Sequence, residues 1–313
     1  MRLIDNEIFE YVQEPGIAGV YKSVRDNAAT CYQTDVEKMK LTPKEFVENV
    51  ILKQAHSRAL EFGTVYLKIP TVEISLQKYE SNPYTKINYE SLHGILPNYH
   101  DKRVKTIAYV TTNLRVIMQG YYETDYEAWQ HGYDKNWLED VEKYWSEPTE
   151  YHPKRRTFGM LLSRGASDDL RTHITLSSMC ESTRWCNYSK GKYGSQLTGI
   201  KPYWIDFKTK EPVEVKTYRD GSIDNEQIRV LNENDYQFVA SMALEEIEYM
   251  RHAEEGLQAQ QLKRLFPLWG KCELRLCGFD DAWNNFMWRR MDGHADPECQ
   301  KVAEMIEKLR SNN

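Results

Sequence analysis

The sequence lacks several features that would each indicate a class of protein. It has no uninterrupted apolar run long enough to cross a bilayer, and its first residues do not have the character of a secretory signal, so we expect a cytoplasmic protein without membrane partners. Glycine-rich phosphate motifs, internal repeats and low-complexity tracts are absent. The net charge of −6 provides no global basic field for a nucleic-acid polymer. An anionic ligand must therefore be held by a few local arginine or lysine side chains.

Cysteine is too scarce and too scattered for a disulfide scaffold. The chain has six cysteines, and no two of them have Cys-x-x-Cys spacing. Cys272 and Cys277 together with His294 form the best candidate for a metal site, but their spacing is not that of a known one. We interpret these cysteines as buried, reduced thiols and expect no metal.

Length and composition are those of an ordinary globular protein. The chain has 313 residues and a mass of 37.0 kDa, with 41% hydrophobic and 28% charged residues, which suffices for one large domain or two small ones. Residues 71 to about 150 differ from the rest by their frequent Tyr and Trp and by turn signals such as Asn82-Pro83. We predict a single domain over residues 1–313, with an insertion at about 71–150.

The first half of the chain contains one clear helix signal and two strand signals. Residues 42–45 read TPKE, a capping box with proline at the first helical position, and the apolar spacing that follows predicts a helix running towards Glu61. Strands are expected over residues 64–69 and 104–118, and a short helix over residues 134–145.

The second half is richer in helix signals. We expect a strand at residues 157–162, a turn at Arg164-Gly165 and then a helix capped by Ser167 or Asp168 that leads into residues 180–190. Residues 201–232 are polar and predict a loop or hairpin. Three further helices are expected, which begin at Asp235, at Asp280-Asp281 and at Asp296-Pro297.

One segment carries a specific resemblance. Residues 180–190 read CESTRWCNYSK, which is similar to a motif of the flavin-dependent thymidylate synthases. Further blocks follow in the same order as in that family: TCY at 30–32, His56 to Glu61, YVTTNLR at 109–115, SRGAS at 163–167, KYG at 192–194, IKP at 200–202, LFP at 265–267, Gly278-Phe279, Trp283, Arg290 and His294-Ala295.

The resemblance implies a fold, an assembly and a reaction. The expected fold class is α/β (α+β), a central sheet with long helices and the inserted segment. The family assembles as homotetramers whose active sites draw on several chains. FAD, reduced by NADPH, delivers a hydride and methylenetetrahydrofolate supplies the carbon that converts dUMP to dTMP, without an enzyme nucleophile on the uracil ring.

The resemblance also implies which residues hold dUMP. Ser182 and Arg184 match the Ser-x-Arg pair that binds the nucleotide, and Glu181 precedes them. A guanidinium beside a hydroxyl suits a phosphate dianion. A further basic contact falls on Lys263 or Arg264, and the choice between them stays open.

Arg290 is the expected catalytic residue. It matches the family arginine that contacts dUMP and polarises the uracil ring, and a cation beside a developing enolate lowers the barrier. Arg290 also continues the apolar helix face of Trp283, Phe286 and Met287, where an unpaired charge would be costly. The alternative is a structural ion pair with Asp280 or Asp281, but ten residues along a helix span about 15 Å.

For FAD, the resemblance indicates one set of residues and also a departure from the family. The residues are His56, Arg58, Glu61, His173 and Asn285. The family signature is Arg-His-Arg, then seven residues, then Ser, and residues 172–174 of this chain read THI, so only the histidine is retained. Each lost charge-assisted hydrogen bond costs about 1.5–3 kcal/mol.

Three hypotheses follow from this departure. The chain is a thymidylate synthase with a remodelled flavin site, in which Arg58, Arg164 or Arg171 compensates; or it is a related enzyme, such as a hydroxymethylase of pyrimidine nucleotides; or it is a non-catalytic paralogue that binds nucleotide and has lost flavin. Because Ser182, Arg184 and Arg290 are all present, dUMP binding is the better-supported property.

Overall fold

The computed structural model describes residues 1–71, 76–80, 82–91, 106–120, 122–134, 137–218, 220, 222–224, 226–229 and 231–312. Within these residues the strands are β1 (Arg2–Ile4), β2 (Glu7–Tyr11), β3 (Thr64–Pro70), β4 (Lys86–Ser91), β5 (Thr106–Asn113), β6 (Arg155–Ser163), β7 (Ser177–Cys180), β8 (Thr198–Ile200), β9 (Val213–Glu214), β10 (Lys216–Thr217), β11 (Ile223–Asp224) and β12 (Lys271–Phe279).

The helices lie between these strands and after β12. The α-helices are α1 (Gly16–Ala29), α2 (Pro43–Phe46), α3 (Gln77–Glu80), α4 (Leu114–Gln119), α5 (Asp125–Gln130), α6 (Trp137–Tyr144), α7 (Arg164–Leu170), α8 (Glu226–Arg229), α9 (Glu233–Glu254), α10 (Ala259–Leu262), α11 (Asp280–Arg290) and α12 (Pro297–Ser311). The other helical segments are a π-helix, Val47–Leu52, and the 3-10 segments Thr30–Tyr32, Val36–Lys38, Ser57–Phe62 and Gly191–Tyr193. None of the described helices is both long and apolar enough to span a bilayer.

Two sheets position most of the candidate residues. An antiparallel four-stranded sheet has the order β2-β6-β12-β7, and β12 pairs with β6 along its whole length. A three-stranded sheet has the order β3-β5-β4. Smaller pairings join β8-β1-β9 and the hairpin β10-β11. The predicted α/β class is confirmed, and so is the hairpin within the polar stretch 201–232.

The helices α11 and α12 cover one face of the four-stranded sheet. Leu274 and Leu276 of β12 are fully buried in the same core as Trp283 and Phe286 of α11 and Ile306 of α12. Burying each large apolar side chain of this kind is worth about 1.5–3 kcal/mol. The regularly spaced apolar residues that predicted these two helices therefore form the face that packs against the sheet.

The helix that begins at the capping box is shorter than expected. The side chain of Thr42 accepts a hydrogen bond from the backbone of Glu45, and the side chain of Glu45 accepts one from the backbone of Thr42, so the predicted start is confirmed. The helical segments end at Leu52, and Ala55 has a left-handed backbone with φ 54°. A chain with that turn cannot continue the helix. Residues 57–62 form a separate 3-10 segment.

Two predictions around local caps are wrong. Residues 114–118 are helical, because the side chain of Asn113 accepts from the backbone of Val116 and starts α4. Residues 104 and 105 lie outside the described residues. Likewise, Arg164 begins α7 rather than forming a turn, because Ser163 caps that helix through Ala166. The helix ends at Leu170, and a strand, β7, then leads into the motif at 180–190.

The other helices agree with the sequence to within a few residues. α9 begins at Glu233 behind its cap Asn232, rather than at Asp235, and α12 begins at Pro297 behind Asp296. α11 begins at Asp280, with Phe279 in the cap position. Part of the expected helix at 134–145 is α6, and residues 135–136 lie outside the described residues.

The proposed insertion at 71–150 shares its sheet with the residues before it. β5 pairs with β3 from Thr64↔Asn113 to Pro70↔Ile107, and β4 extends the same sheet. The buried core beneath this sheet also includes residues of α1, such as Val20 and Val24. This arrangement is in keeping with one domain over 1–313, which stays a prediction.

Candidate functional site

A tight turn between α7 and β7 carries the histidine of the damaged signature. Leu170 is fully buried at the end of α7, and His173 follows it with only 7% of its surface exposed. The imidazole ring lies 4.8 Å from the ring of Phe286 on α11. The turn therefore rests against the last part of α11, next to Arg290.

Arg290 binds this turn through three hydrogen bonds. Its Nε donates to Nε2 of His173 at 2.9 Å, and its Nη2 donates to the carbonyl of Asp169 at 2.7 Å and to Oγ1 of Thr172 at 3.2 Å. These three acceptors explain how the charged Arg290 can lie on the same side of α11 as its apolar residues. The alternative ion pair at the start of that helix is not formed, because Asp281 pairs with Lys86 and Asp280 lies beside Arg156 and Arg310.

The bond from Arg290 determines the protonation of His173. Arg290 always carries its Nε proton, so Nε2 of His173 is the acceptor and the neutral ring holds its proton on Nδ1. Burial, followed by the charges of Arg290 and Arg289, lowers the pKa of His173 to about 4. The ring is therefore neutral at pH 7 and can donate a hydrogen bond from Nδ1.

An open cleft of about 610 Å³ lies beside this turn. Its lining contains cations, an amide and exposed apolar groups: Thr172, His173, Ile174, Thr175, Asn285, Trp288, Arg289, Arg290, Asp292, His294 and Ala295. Trp288 is 72% exposed and Ile174 is 89% exposed. We call this the His173 cleft. It unites three of the sequence-predicted residues, namely His173, Asn285 and Arg290.

A second open cleft, of about 790 Å³, collects the basic residues expected to contact dUMP. It is lined by Arg184, Leu257, Gln260, Gln261, Lys263, Arg264 and Leu265. We call it the Arg184 cleft. Arg184 comes from the motif at 180–190, whereas Lys263 and Arg264 follow α10, so the fold brings two distant segments together. Both Lys263 and Arg264 line the cleft, and the choice between them stays open.

The motif loop is anchored by a buried carboxylate. Glu181 is 1% exposed, and its side chain accepts from Lys271 at 2.6 Å, from the Tyr188 hydroxyl at 2.7 Å and from the backbone of Glu273 at 3.1 Å. Burial and the Glu181 charge raise the pKa of Tyr188 well above its usual value, so it donates at any ordinary pH. The carboxylate of Glu181 is thus engaged inside the protein, and the expectation that Glu181 contacts substrate stays a prediction.

Further contacts orient the Ser-x-Arg pair. The backbone of Ser182 donates to the carbonyl of Cys31 at 3.0 Å. The guanidinium of Arg184 lies 5.3 Å from the centre of the Trp185 ring, which in turn lies 6.0 Å from the ring of Tyr32. Residues 30–32 therefore support the motif, which accounts for the joint occurrence of these two blocks in the sequence.

The remaining flavin candidates lie on a different segment. His56 and Arg58 are exposed at the start of the 3-10 segment Ser57–Phe62, and neither lines the His173 cleft. Glu61 is 2% exposed and forms an ion pair with Arg115, which also pairs with Asp125. Within one chain the five predicted residues are therefore divided between two places, and Glu61 is already paired inside the protein.

None of the arginines expected to compensate for the lost signature lines the His173 cleft. Arg164 and Arg171 both contact Asp168, and Arg58 lies on the other segment. Arg289 and Trp288 do line it, although neither was among the residues predicted from the sequence. Their only sequence signal was their position directly before Arg290, and the exposure of a tryptophan depends on tertiary packing.

Cys272, Cys277 and His294, which were weighed as a metal site and not preferred, are not brought together. Cys272 and Cys277 lie five residues apart on β12, so their side chains point to opposite faces of the sheet. His294 is exposed beyond the end of α11. Among the described residues no group of three or more His, Cys, Asp or Glu side chains could hold a metal ion.

Comparisons with known proteins agree with the motif. A model of the family described as "Thymidylate synthase complementing protein" (Thy1) matches residues 126–312, more than half of the chain. No curated protein sequence matches.

Similar solved structures include thymidylate synthase X (ThyX) from Helicobacter pylori with FAD and dUMP, at 20% identity and a TM-score of 0.35, covering 49% of this chain and 65% of that one. Another is a UMP/dUMP methylase, PolB from Streptomyces cacaoi, bound with 5-Br dUMP, at 18% identity and a TM-score of 0.36, covering 50% and 66%. The chain thus spans slightly less than two thirds of either protein. On the family match, it belongs to the thymidylate synthase complementing proteins, the flavin-dependent thymidylate synthase family that its motif resembles.

Proposed function

We propose that this chain binds dUMP and methylates it to dTMP in a flavin-dependent reaction. The observation that carries the proposal is the Arg184 cleft, where a guanidinium and two further basic side chains from distant segments line one open cavity. Local cations of this kind suit a nucleotide phosphate in a chain whose net charge is −6. In this proposal Arg184 and Ser182 hold the phosphate, together with Lys263 or Arg264.

Arg290 is the proposed catalytic residue for the pyrimidine ring. Its bonds to the turn use Nε and Nη2. The two Nη1 hydrogens face no acceptor among the described contacts, so they remain for a ligand in the His173 cleft. A guanidinium held rigidly by three bonds stabilises negative charge on the ring without having to reorganise.

The two proposed sites, for phosphate and for ring, lie in separate clefts of one chain. In the proposal a single dUMP molecule contacts the two clefts from different chains, as the family's shared active sites imply. This step of the proposal depends on the predicted homotetramer.

The residues of the His173 cleft fit part of a flavin dinucleotide. Arg289 supplies a cation for the pyrophosphate, Asn285 and Nδ1 of His173 supply neutral donors, and the exposed Trp288 offers a face for stacking. His56 and Arg58 would approach from another segment or another chain. When bound, FAD supplies the hydride, with NADPH as its reductant and methylenetetrahydrofolate as the carbon donor.

A second candidate function is nucleotide binding without catalysis. It is favoured by Thr172 and Ile174 in place of the signature arginines and by the internal pairing of Glu61. A related modification of the pyrimidine, such as hydroxymethylation, would use the same two clefts. Both alternatives retain dUMP binding.

The proposal is tested by calorimetric titration of dUMP into the purified chain. Arg184→Ala is expected to weaken binding by about 10- to 150-fold, from the loss of a charge-assisted hydrogen bond of about 1.5–3 kcal/mol. Arg251→Ala is the matched control, because Arg251 is an exposed arginine of α9 whose ion pairs are with its sequence neighbours Glu248 and Glu255. Raising the salt concentration should also weaken binding.

The outcomes separate the candidates. Equal dUMP binding by wild type and Arg184→Ala would remove the basis of the proposal. Binding of dUMP by a protein that shows no flavin absorbance, even after incubation with FAD, would favour the non-catalytic alternative. If the protein is yellow and consumes dUMP, the mass of the product distinguishes methylation from hydroxymethylation.

A further inference from the structure

A small cavity is lined by strands of both larger sheets. It has a volume of about 200 Å³, and its walls come from the end of β2 and the residues that follow it up to Gly16, from β3, from residues 145–148 and from the start of β6. None of the residues predicted to bind dUMP or FAD is part of this lining. We call it the Arg155 cavity, and the proposed function makes no use of it.

Hydrogen bonds hold these walls together. The side chain of Gln13 accepts from the backbone N–H of Thr64 at 2.8 Å and donates to the carbonyl of Thr64 at 2.8 Å. Arg155, at the start of β6, donates from Nη1 to Oγ1 of Thr64 at 2.9 Å and from Nη2 to the carbonyl of Glu61 at 2.7 Å. Three segments that are distant in sequence therefore meet at Thr64, and their bonds keep the cavity in shape.

The positive charge of Arg155 has no counter-ion among the described residues. The side chain is partly buried, and its two hydrogen bonds go to neutral oxygens. The carboxylate of Glu61 pairs with Arg115 instead. The thiol of Cys277 is protonated at neutral pH, because burial raises its pKa. A partly buried guanidinium without a counter-ion is costly, and a bound anion removes that cost.

The carboxylates that line the cavity have donors of their own. Glu14 and Glu147 are exposed, whereas Glu10 is partly buried. Their partners are Arg156 at 3.8 Å for Glu10, Lys22 for Glu14, and Nε1 of Trp145 at 3.1 Å with the backbone of Gly16 at 3.2 Å for Glu147. The charge that the cavity leaves without a partner is thus that of Arg155.

Two side chains keep donors for a ligand. A guanidinium has five N–H groups, and the three of Arg155 that do not bind Thr64 or Glu61 meet no oxygen acceptor in the part of the chain that the structure describes. Tyr66 lines the cavity two residues after Thr64 on β3, so the two side chains share a face of that strand. The Tyr66 hydroxyl has no hydrogen-bond partner among the described residues.

Aromatic rings complete the lining. The ring of Tyr66 lies 5.3 Å from the ring of His152, edge to face, which fixes its orientation. Tyr11 and Trp145 also line the cavity. The hydroxyl of Tyr11 is engaged by Asp26 at 3.1 Å, so Tyr11 offers ring surface and no free donor. A cation, a hydroxyl and three aromatic side chains suit a planar anion.

We propose that the Arg155 cavity is a binding site for a small aromatic carboxylate. Arg155 and the Tyr66 hydroxyl donate to the carboxylate, and the aromatic side chains contact the ring of the ligand. The size agrees, because a cavity of about 150 Å³ accommodates benzene and this one has about 200 Å³.

The test uses the full chain with benzoate and benzamide as probes. The two probes have the same shape, but only benzoate carries a negative charge at pH 7. Saturation-transfer NMR titrations should give a dissociation constant at least about tenfold lower for benzoate, from its charge-assisted hydrogen bonds. Addition of dUMP should leave the benzoate signal unchanged, since dUMP is assigned to other clefts.

Two variants locate the site. Arg155→Gln should abolish the preference for benzoate. Because Arg155 also supports the walls, Tyr66→Phe is the second variant; it removes only a hydroxyl and should weaken benzoate binding about two- to tenfold. Tyr126→Phe is the matched control and should bind like wild type, because Tyr126 is a 62% exposed residue of α5 outside the cavity.

Three results would overturn the proposal. The first is that wild type binds neither probe, or binds both equally. The second is that Tyr66→Phe binds benzoate as tightly as wild type. The third is that dUMP displaces benzoate, which would place the probe in the Arg184 cleft or the His173 cleft.

Discussion

The bond between Arg290 and His173 accounts for a histidine that persists where the signature arginines do not. Because Arg290 donates to its ring, the retained His173 holds the guanidinium of Arg290, the catalytic candidate, in position. It also remains available to a ligand in the His173 cleft. Thr172 contributes its hydroxyl to the same guanidinium. At the residue scale, the altered signature is therefore still a structural unit.

Protonation of His173 should break this unit. Its pKa in the folded chain, about 4, lies below the value of about 6.5 for an unperturbed histidine. As the pH falls from about 6.5 towards 4, the unfolded state takes up the proton first, so the contribution of His173 to stability is lost across that window. We expect the ring proton signals of His173 in NMR to titrate with a midpoint near 4 in wild type.

A matched pair of variants separates the causes of this shift. Arg290→Gln should raise the midpoint more than Arg289→Gln, because the charge of Arg290 contributes more to the shift than that of Arg289. A wild-type midpoint near 6.5, or equal effects of the two variants, would contradict the assignment of Arg290 as the neighbouring charge.

The family motif at 180–190 was recognisable in the sequence, whereas only some of the residues around it that form the candidate site could be predicted. Arg184 and its basic partners were predicted and line one cleft. The internal bonds of Glu181 to Lys271 and Tyr188 were not predicted, because a carboxylate in a conspicuous motif gives no local sign of which partner it binds. Trp288 and Arg289 were missed, since their exposure results from how α11 packs and has no local signature.

At the scale of elements, the start of α7 could not be predicted from the local sequence. Residues 163 to 168 offer three side chains able to cap a helix, and local preference cannot choose among them. Tertiary structure decides: β6 pairs with β12 as far as Ser163↔Lys271, so the chain leaves the sheet there and the helix begins. In contrast, the long helices α9 and α12 were predicted well, because each has a repeated apolar face.

The cap at Ser163 also offers a test at this scale. Its side chain accepts from the backbone of Ala166 at 3.1 Å and starts the helix that leads to His173. Ser163→Ala should lower the free energy of unfolding by about 1 kcal/mol in urea denaturation. Ser241→Ala, in the interior of α9, should be neutral or slightly stabilising, because alanine is the better helix former. Equal effects of the two changes would contradict a capping role for Ser163.

At the scale of the whole molecule, several large apolar side chains face outward. Ile174 is 89% exposed, Trp288 is 72% exposed and Leu268 is 69% exposed. Scattered exposed apolar residues are normal, but two of these line one cleft. Together with the division of the flavin candidates between two places, they favour an assembly in which chains cover one another.

We accordingly predict a homotetramer. Light scattering at micromolar concentration should give four times the chain mass of 37.0 kDa. Trp288→Asp should shift this distribution towards smaller species, since a charge would then be buried between chains. Trp129→Asp, which alters a 43% exposed tryptophan of α5, should not. A stable monomeric wild type would count against the tetramer and against any active site shared between chains.

The position of β12 at the middle of its sheet has a consequence for the order of events during synthesis. The neighbours of β12 are β6 and β7, and β2 pairs in turn with β6, yet all three are made well before β12. The buried core from Val20 to Tyr144 is formed almost entirely by the first half of the chain and can pack early. In the four-stranded sheet, by contrast, β6 and β12 are more than a hundred residues apart in sequence, so this pairing forms slowly. On the ribosome, the turn that holds Arg290 and the loop that carries Arg184 therefore acquire their support only after residue 279 has emerged, so ligand binding should appear as one of the last events of maturation.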